Sequence, residues 1–213
     1  MSWIVSTVAF LQIVAQLGTH VLLGTLGGIL CEKAGNMNLG LEGLMLMGAA
    51  GGFWAAQATG SPWLAVAAAA LMGVLGALIY AVLTVTLRAQ QVVTGLALTI
   101  FGTGLSSMIG AQIAGKSLPA QVTAALGPQA APGRSRLPLV GPVLFTQSPF
   151  VPLSVAAAVA LWWFYRRTRT GLNLRMVGEN PAAADAASIQ VTRWKYINIL
   201  LGGGICGIGG AYC

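Results

Sequence analysis

Charge is what this chain has least of. Only 7% of its 213 residues are Asp, Glu, Lys or Arg, and just 4 are acidic. Soluble domains carry about 25%. With so few carboxylates and a single histidine, His20, the chain offers no paired acids, no Ser/His/Asp set and no metal-ligating cluster. Intrinsic catalysis is therefore not expected, and neither is a cofactor or a bound metal. The three cysteines, Cys31, Cys206 and Cys213, lie in or beside apolar runs without CxxC spacing. That excludes a zinc site and a disulfide framework. The N-terminus lacks a basic leader and a cleavage site, and its first apolar run is too long for a signal peptide, so it reads as a retained span.

Hydrophobic residues make up 56% of the chain, and the mean hydropathy is +0.80. Several apolar runs approach or exceed the roughly 20 residues that cross a bilayer. The expected fold is all-α: a polytopic transmembrane helical bundle of about six membrane segments, forming a single domain over residues 1–213. The segments fall near residues 4–30, 39–57, 63–87, 92–114, 150–165 and 196–213. The last run is still apolar where the sequence stops, which reads as C-terminally incomplete.

The net charge of +7 is concentrated. Arg166, Arg167, Arg169, Arg175, Arg193 and Lys195 lie in one polar island, residues 166–195, between two apolar runs. Such an island sits in water, and its positive charge assigns it to the cytoplasmic side. Charge gathered beside membrane spans is a topology signal, so no nucleic-acid partner is expected. Alternation then puts residues 115–149 and the N-terminus on the extracytoplasmic side. Within the island, Asn180 and Pro181 start a short helix: Asn caps free amides, and proline fits the first helical position. The alanine-rich helix over 182–187 has the shape of a docking knob. A solvated loop that merely orients the protein carries the same charge pattern.

The 29 glycines often recur four residues apart, as at Gly24 and Gly28, Gly48 and Gly52, and Gly203 and Gly207. Small residues at this spacing let helices in lipid approach closely. The first span also carries a polar stripe, Gln12, Gln16 and His20, which continues into Gly24 and Gly28 on one helical face. That face should point into the bundle, where His20 is either an interior hydrogen-bonding residue or part of a solute path. Asn36, Asn38 and Glu42 form a polar break before the second span, and Glu42 either favours a helix start or meets a solute. Residues 110–117, GAQIAGKS, match the phosphate-loop pattern GxxxxGK[ST]. That loop requires a strand before it and a helix after it. Here an apolar span precedes it and Pro119 follows, so nucleotide binding is not expected.

Three stretches resemble one family. Glu32-Lys33-Ala34-Gly35-Asn36-Met37-Asn38-Leu39-Gly40-Leu41-Glu42-Gly43 resembles the ERAG-x-x-N-x-G-x-EG stretch of permease subunits of ABC importers. The similar subgroup is that of simple sugars and nucleosides, related to ribose and branched-chain amino acid permeases. Gln91-Val92-Val93-Thr94-Gly95-Leu96-Ala97-Leu98 resembles its NQVVTGLAL stretch. Gly171 through Arg175, with Gly178-Glu179-Asn180-Pro181, resembles its cytoplasmic G-x-x-x-R-x-x-G-x-NP loop. Departures are Cys31 and Ser188, where the family usually has Gly, and Gln90, where Asn is common.

The resemblance implies a permease in the cell (inner) membrane that moves a nucleoside or simple sugar. The implied partners are an ABC ATPase subunit, a second permease subunit, an extracytoplasmic solute-binding protein and the lipid bilayer. It implies that Gly178, Glu179, Asn180, Pro181, Ala184 and Asp185 couple to the ATPase. Gln16, His20, Asn36, Asn38, Glu42 and Thr94 are the candidates for the solute path. An ion-coupled secondary transporter or channel is the alternative; it would need acid–base pairs in mid-span.

Overall fold

The computed structural model describes residues 2–127 and 148–212. These form nine α-helices among the described residues: α1 (Ser2–Lys33), α2 (Leu41–Thr59), α3 (Pro62–Ala81), α4 (Gln91–Ile113), α5 (Ala120–Leu126), α6 (Phe150–Arg167), α7 (Arg169–Glu179), α8 (Pro181–Ala186) and α9 (Val191–Tyr212). A π-helical turn, Val82–Thr86, extends α3. The described residues contain no strand, and the fold is all-α. Most of the expected extracytoplasmic segment, residues 128–147, lies outside the described residues.

Among the described residues, three stretches are long and apolar enough to cross a membrane: Phe10–Lys33, Pro62–Thr86 and Gln91–Ile113. The expected count of six is therefore not reached on length and composition. The other three long helices are diluted. Glycines and Gln57 punctuate α2, two arginines end α6, and Arg193 and Lys195 open α9.

Helix α9 is the centre of the bundle and packs against α1, α2 and α3, while α2 also packs on α4. Glycine makes these crossings close. A Cβ added at Gly48 would lie 2.5 Å from the Gly207 Cα, one at Gly202 would lie 2.6 Å from the Gly27 carbonyl, and one at Gly43 would lie 2.7 Å from that of Leu98. No side chain fits there, so backbone meets backbone, as small residues permit in helical membrane proteins. Cys31, Leu44, Ala77, Tyr80, Leu98, Ile199 and Cys206 fill the core between these contacts.

A second cluster, Leu30, Ala34, Tyr165 and Leu174, joins α1 to α6 and α7. Helix α7 corrects the expectation that residues 169–179 are loop. Gly171, Leu174 and Val177 repeat every third residue and are buried, while Arg169, Thr170 and Leu172 stay exposed. Thr168 starts the helix by accepting the Gly171 amide at 3.0 Å. This cap satisfies one of the free first-turn donors.

Candidate functional site

The end of the bundle near Lys33 carries two built features. The first is the break between α1 and α2. Gly35, at φ +80°, ends α1 in the left-handed conformation that glycine adopts without steric cost. The Asn36 amide donates to the Cys31 carbonyl at 3.0 Å, and the Gly35 amide to that of Glu32 at 2.9 Å. This pair of bonds is the Schellman ending.

Beyond it the chain is held from two other helices. Tyr80 of α3 donates its hydroxyl to the Met37 carbonyl at 2.8 Å. Gln91 of α4 accepts the Met37 amide at 2.7 Å and donates to the Gly35 carbonyl at 3.4 Å. Thr99, also of α4, donates to the Leu39 carbonyl at 3.2 Å. Inside the break, Asn38 accepts the Gly40 amide at 2.8 Å. This is the turn-forming habit of asparagine.

Asn36 and Asn38 are buried, and the Nδ2 groups of both lack a hydrogen-bond partner among the described residues. Glu42 is exposed in the first turn of α2, where its charge suits the helix dipole. Thr94 is buried one turn into α4 and bonds back to the Gln90 carbonyl at 2.8 Å.

The second feature is the pair α7–α8. Asn180 accepts the Ala183 amide at 3.0 Å and Pro181 occupies the first turn, so the helix begins where residues 180 and 181 place it. Gly178 seats this pair on the break: a Cβ there would come within 3.1 Å of the Gly35 nitrogen. Glu179, Asn180, Pro181, Ala182, Ala183, Asp185 and Ala187 are exposed. Ala184 is not. It is fully buried, so it faces this chain's own interior and corrects the expectation that it offers outer surface. Burial also lowers the pKa of Lys195, four residues into α9.

Gln16 and His20 lie elsewhere. Both lie midway along α1 and line a cavity of about 710 Å³ toward the other end of the bundle, together with Phe53, Ser148, Phe150 and Tyr212. Phe150 and Tyr212 pack edge to face, with centroids 5.6 Å apart. About 20 Å of helix separates His20 from Lys33. The six candidate path residues are thus divided into two groups, with Thr94 lining a separate apolar cavity of about 230 Å³ beside Phe101.

Sequence reasoning missed Tyr80, Gln91 and Thr99 as clamps. The signal available was polar hydrogen-bonding groups at the ends of apolar spans. The phosphate-loop match is the end of α4 and the turn after it, and the residues before it are helical.

An all-α bundle with backbone-close glycine crossings, a clamped break and a capped helix pair at one end defines a helical membrane protein. The family described as "Branched-chain amino acid transport system / permease component" matches residues 10–213, and the chain belongs to that family. Among its relatives is a protein of Haloferax volcanii provisionally named a glucose ABC transporter permease. It is 35% identical over 205 residues, covering 95% of this chain and 61% of its own. A nucleoside ABC transporter permease of Lactococcus lactis is 34% identical over 200 residues, 91% of this chain and 63% of its own. A guanosine ABC transporter permease of Bacillus subtilis is 33% identical over 197 residues, 89% and 62%. The chain thus spans about three fifths of the length of these relatives. No solved structure matches it. With its apolar helices, the family makes this an integral membrane protein.

Proposed function

We propose that the chain is a multi-pass permease of an ABC importer in the cell (inner) membrane. It carries a small polar solute, a nucleoside or simple sugar, and a separate subunit hydrolyses the ATP. A second permease subunit and an extracytoplasmic solute-binding protein complete the assembly. The names of the relatives support the solute class.

The observation that carries the reading is the seat of α8. Its exposed face is free to meet a partner, while Gly178 at its root presses on the Lys33–Gly35 backbone. A push on α8 therefore reaches the clamped break directly. The ion-coupled alternative loses ground because all four carboxylates, Glu32, Glu42, Glu179 and Asp185, are exposed.

The test compares Ala183→Trp with Asp185→Asn in the full-length transporter. A bulky residue in a close contact costs about 1–3 kcal/mol, whereas an exposed ion pair contributes about 0–1 kcal/mol. Ala183→Trp should lower ATPase co-purification and solute-stimulated ATP hydrolysis well below the Asp185→Asn level. If both stay at the parental level while the variant remains folded, α8 is not the coupling contact.

A further inference from the structure

Helix α6 carries a feature that coupling and transport do not use. Val155, Val159, Trp162 and Arg166 follow one another at steps of four, three and four residues, so they share a face. All four are exposed, as are Trp163, Arg167 and Arg169. The face therefore passes from aliphatic to tryptophan to arginine along one line. Tryptophan is the side chain of the membrane–water boundary. The Arg166 guanidinium carbon stands 5.2 Å from the centroid of the Trp162 ring, which holds it over the aromatic face. No acidic residue lies in the first turn of α7, where Arg169 stands. Glu179 stands at the other end of α7, about 15 Å along the helix from Arg169, and Asp185 lies on α8.

We propose that Trp162, Arg166, Arg167 and Arg169 form a binding site for the headgroup of an anionic phospholipid. Charge complementarity selects the headgroup: three clustered arginines suit one phosphate diester. The aliphatic stripe above them gives the acyl chains an apolar surface. A free phosphate would satisfy the arginines but leave Val155 and Val159 uncovered. The acidic surface of a protein partner would also suit the arginines. The exposed apolar stripe leading into them favours lipid, and each arginine near a membrane surface contributes about 1 kcal/mol of attraction to anionic lipid.

The experiment uses the intact assembly that carries this chain, reconstituted in nanodiscs. One set contains photoreactive phosphatidylglycerol and the other photoreactive phosphatidylcholine. Cross-links are mapped by mass spectrometry. The exposed face of α4 (Val93, Leu96, Ile100), which has no arginine, is the internal reference. Residues 153–169 should label more strongly with phosphatidylglycerol than with phosphatidylcholine, and the α4 face should not. Each arginine replaced in the series R166Q, R167Q, R169Q should lower that preference by up to about fivefold. The triple lysine variant, which keeps the charge, should retain most of it.

Equal labelling of the α6 face by the two lipids would overturn the proposal. So would a preference unchanged in the triple glutamine variant. Absence of label on α6 while α4 is labelled would mean that protein covers the face, which also overturns it. Abolition of the preference by excess inorganic phosphate would assign the arginines to a soluble anion instead.

Discussion

Ser188 closes α8 at φ +60°, a conformation that costs a residue with a Cβ about 1–2 kcal/mol. The closure itself is complete: the Ser188 amide donates to Asp185 at 2.9 Å and the Ile189 amide to Ala184 at 3.0 Å. Gly35 makes the same ending at the foot of α1 with the residue the geometry favours. Ser188→Gly should therefore stabilise the α8 ending by about 1 kcal/mol. Hydrogen exchange of the residue 187–189 amides reads this directly, and exchange at least as fast in the variant as in the parent would refute it. Asn180→Ala should act in the opposite sense, costing about 1 kcal/mol at the other end of the same helix. At this scale the sequence was readable wherever a residue has a distinctive backbone habit. Asn180 and Pro181 announce themselves, whereas Ser188 stood out only as a departure from the family's glycine, and its positive φ was not read from the sequence. Ala184 did not, because a run of alanines carries no polar contrast from which to phase a helix. Its burial means that Ala184→Trp would overpack this chain and report on folding before it reported on docking.

Between elements, the break from Ala34 to Gly40 depends on groups that belong to other helices. Tyr80→Phe removes the hydroxyl that reaches the Met37 carbonyl and leaves that carbonyl one partner short. The expected cost is about 1–3 kcal/mol, visible as a lowered unfolding temperature of the purified protein. Gln91→Leu removes two bonds to the same segment and should cost more than Tyr80→Phe. If Gln91→Leu proves the milder of the two, the clamp is not organised around Met37 as described. The break was legible from its polar residues, but its clamps were not, since partners 43 to 60 residues away in sequence leave no local pattern. Helix α7 was missed for a related reason. Its buried stripe begins with a glycine, and the arginines around it masked the repeat. The glycine crossings were legible as spacing only. That Gly48 faces Gly207 is a fact of packing, and Gly48→Val should push α2 from α9, costing about 1–3 kcal/mol. Thermal unfolding of that variant is the check.

Over the whole molecule, the two ends of the bundle differ in charge and in what they expose. Arg166, Arg167, Arg169 and Arg193 are exposed at the end that carries α7 and α8, while among the described residues of the segment after α4 Lys116 is an exposed cation. An excess of arginine beside spans marks the cytoplasmic side. Composition alone made this asymmetry legible. The division of the path residues between the two ends was not, because that depends on how far α1 runs before it breaks. The asymmetry predicts opposite accessibility for Ala186 and Ser117, both exposed. Cys31 and Cys206 are fully buried, so a membrane-impermeant maleimide applied to intact cells should find introduced cysteines first. With Cys213 replaced by serine, Ser117→Cys should react in intact cells and Ala186→Cys only after the membrane is opened. Labelling of Ala186→Cys from outside, with Ser117→Cys protected, would invert the bundle. It would also place α8 where no ATPase could reach it, so the coupling proposal would fall with the topology.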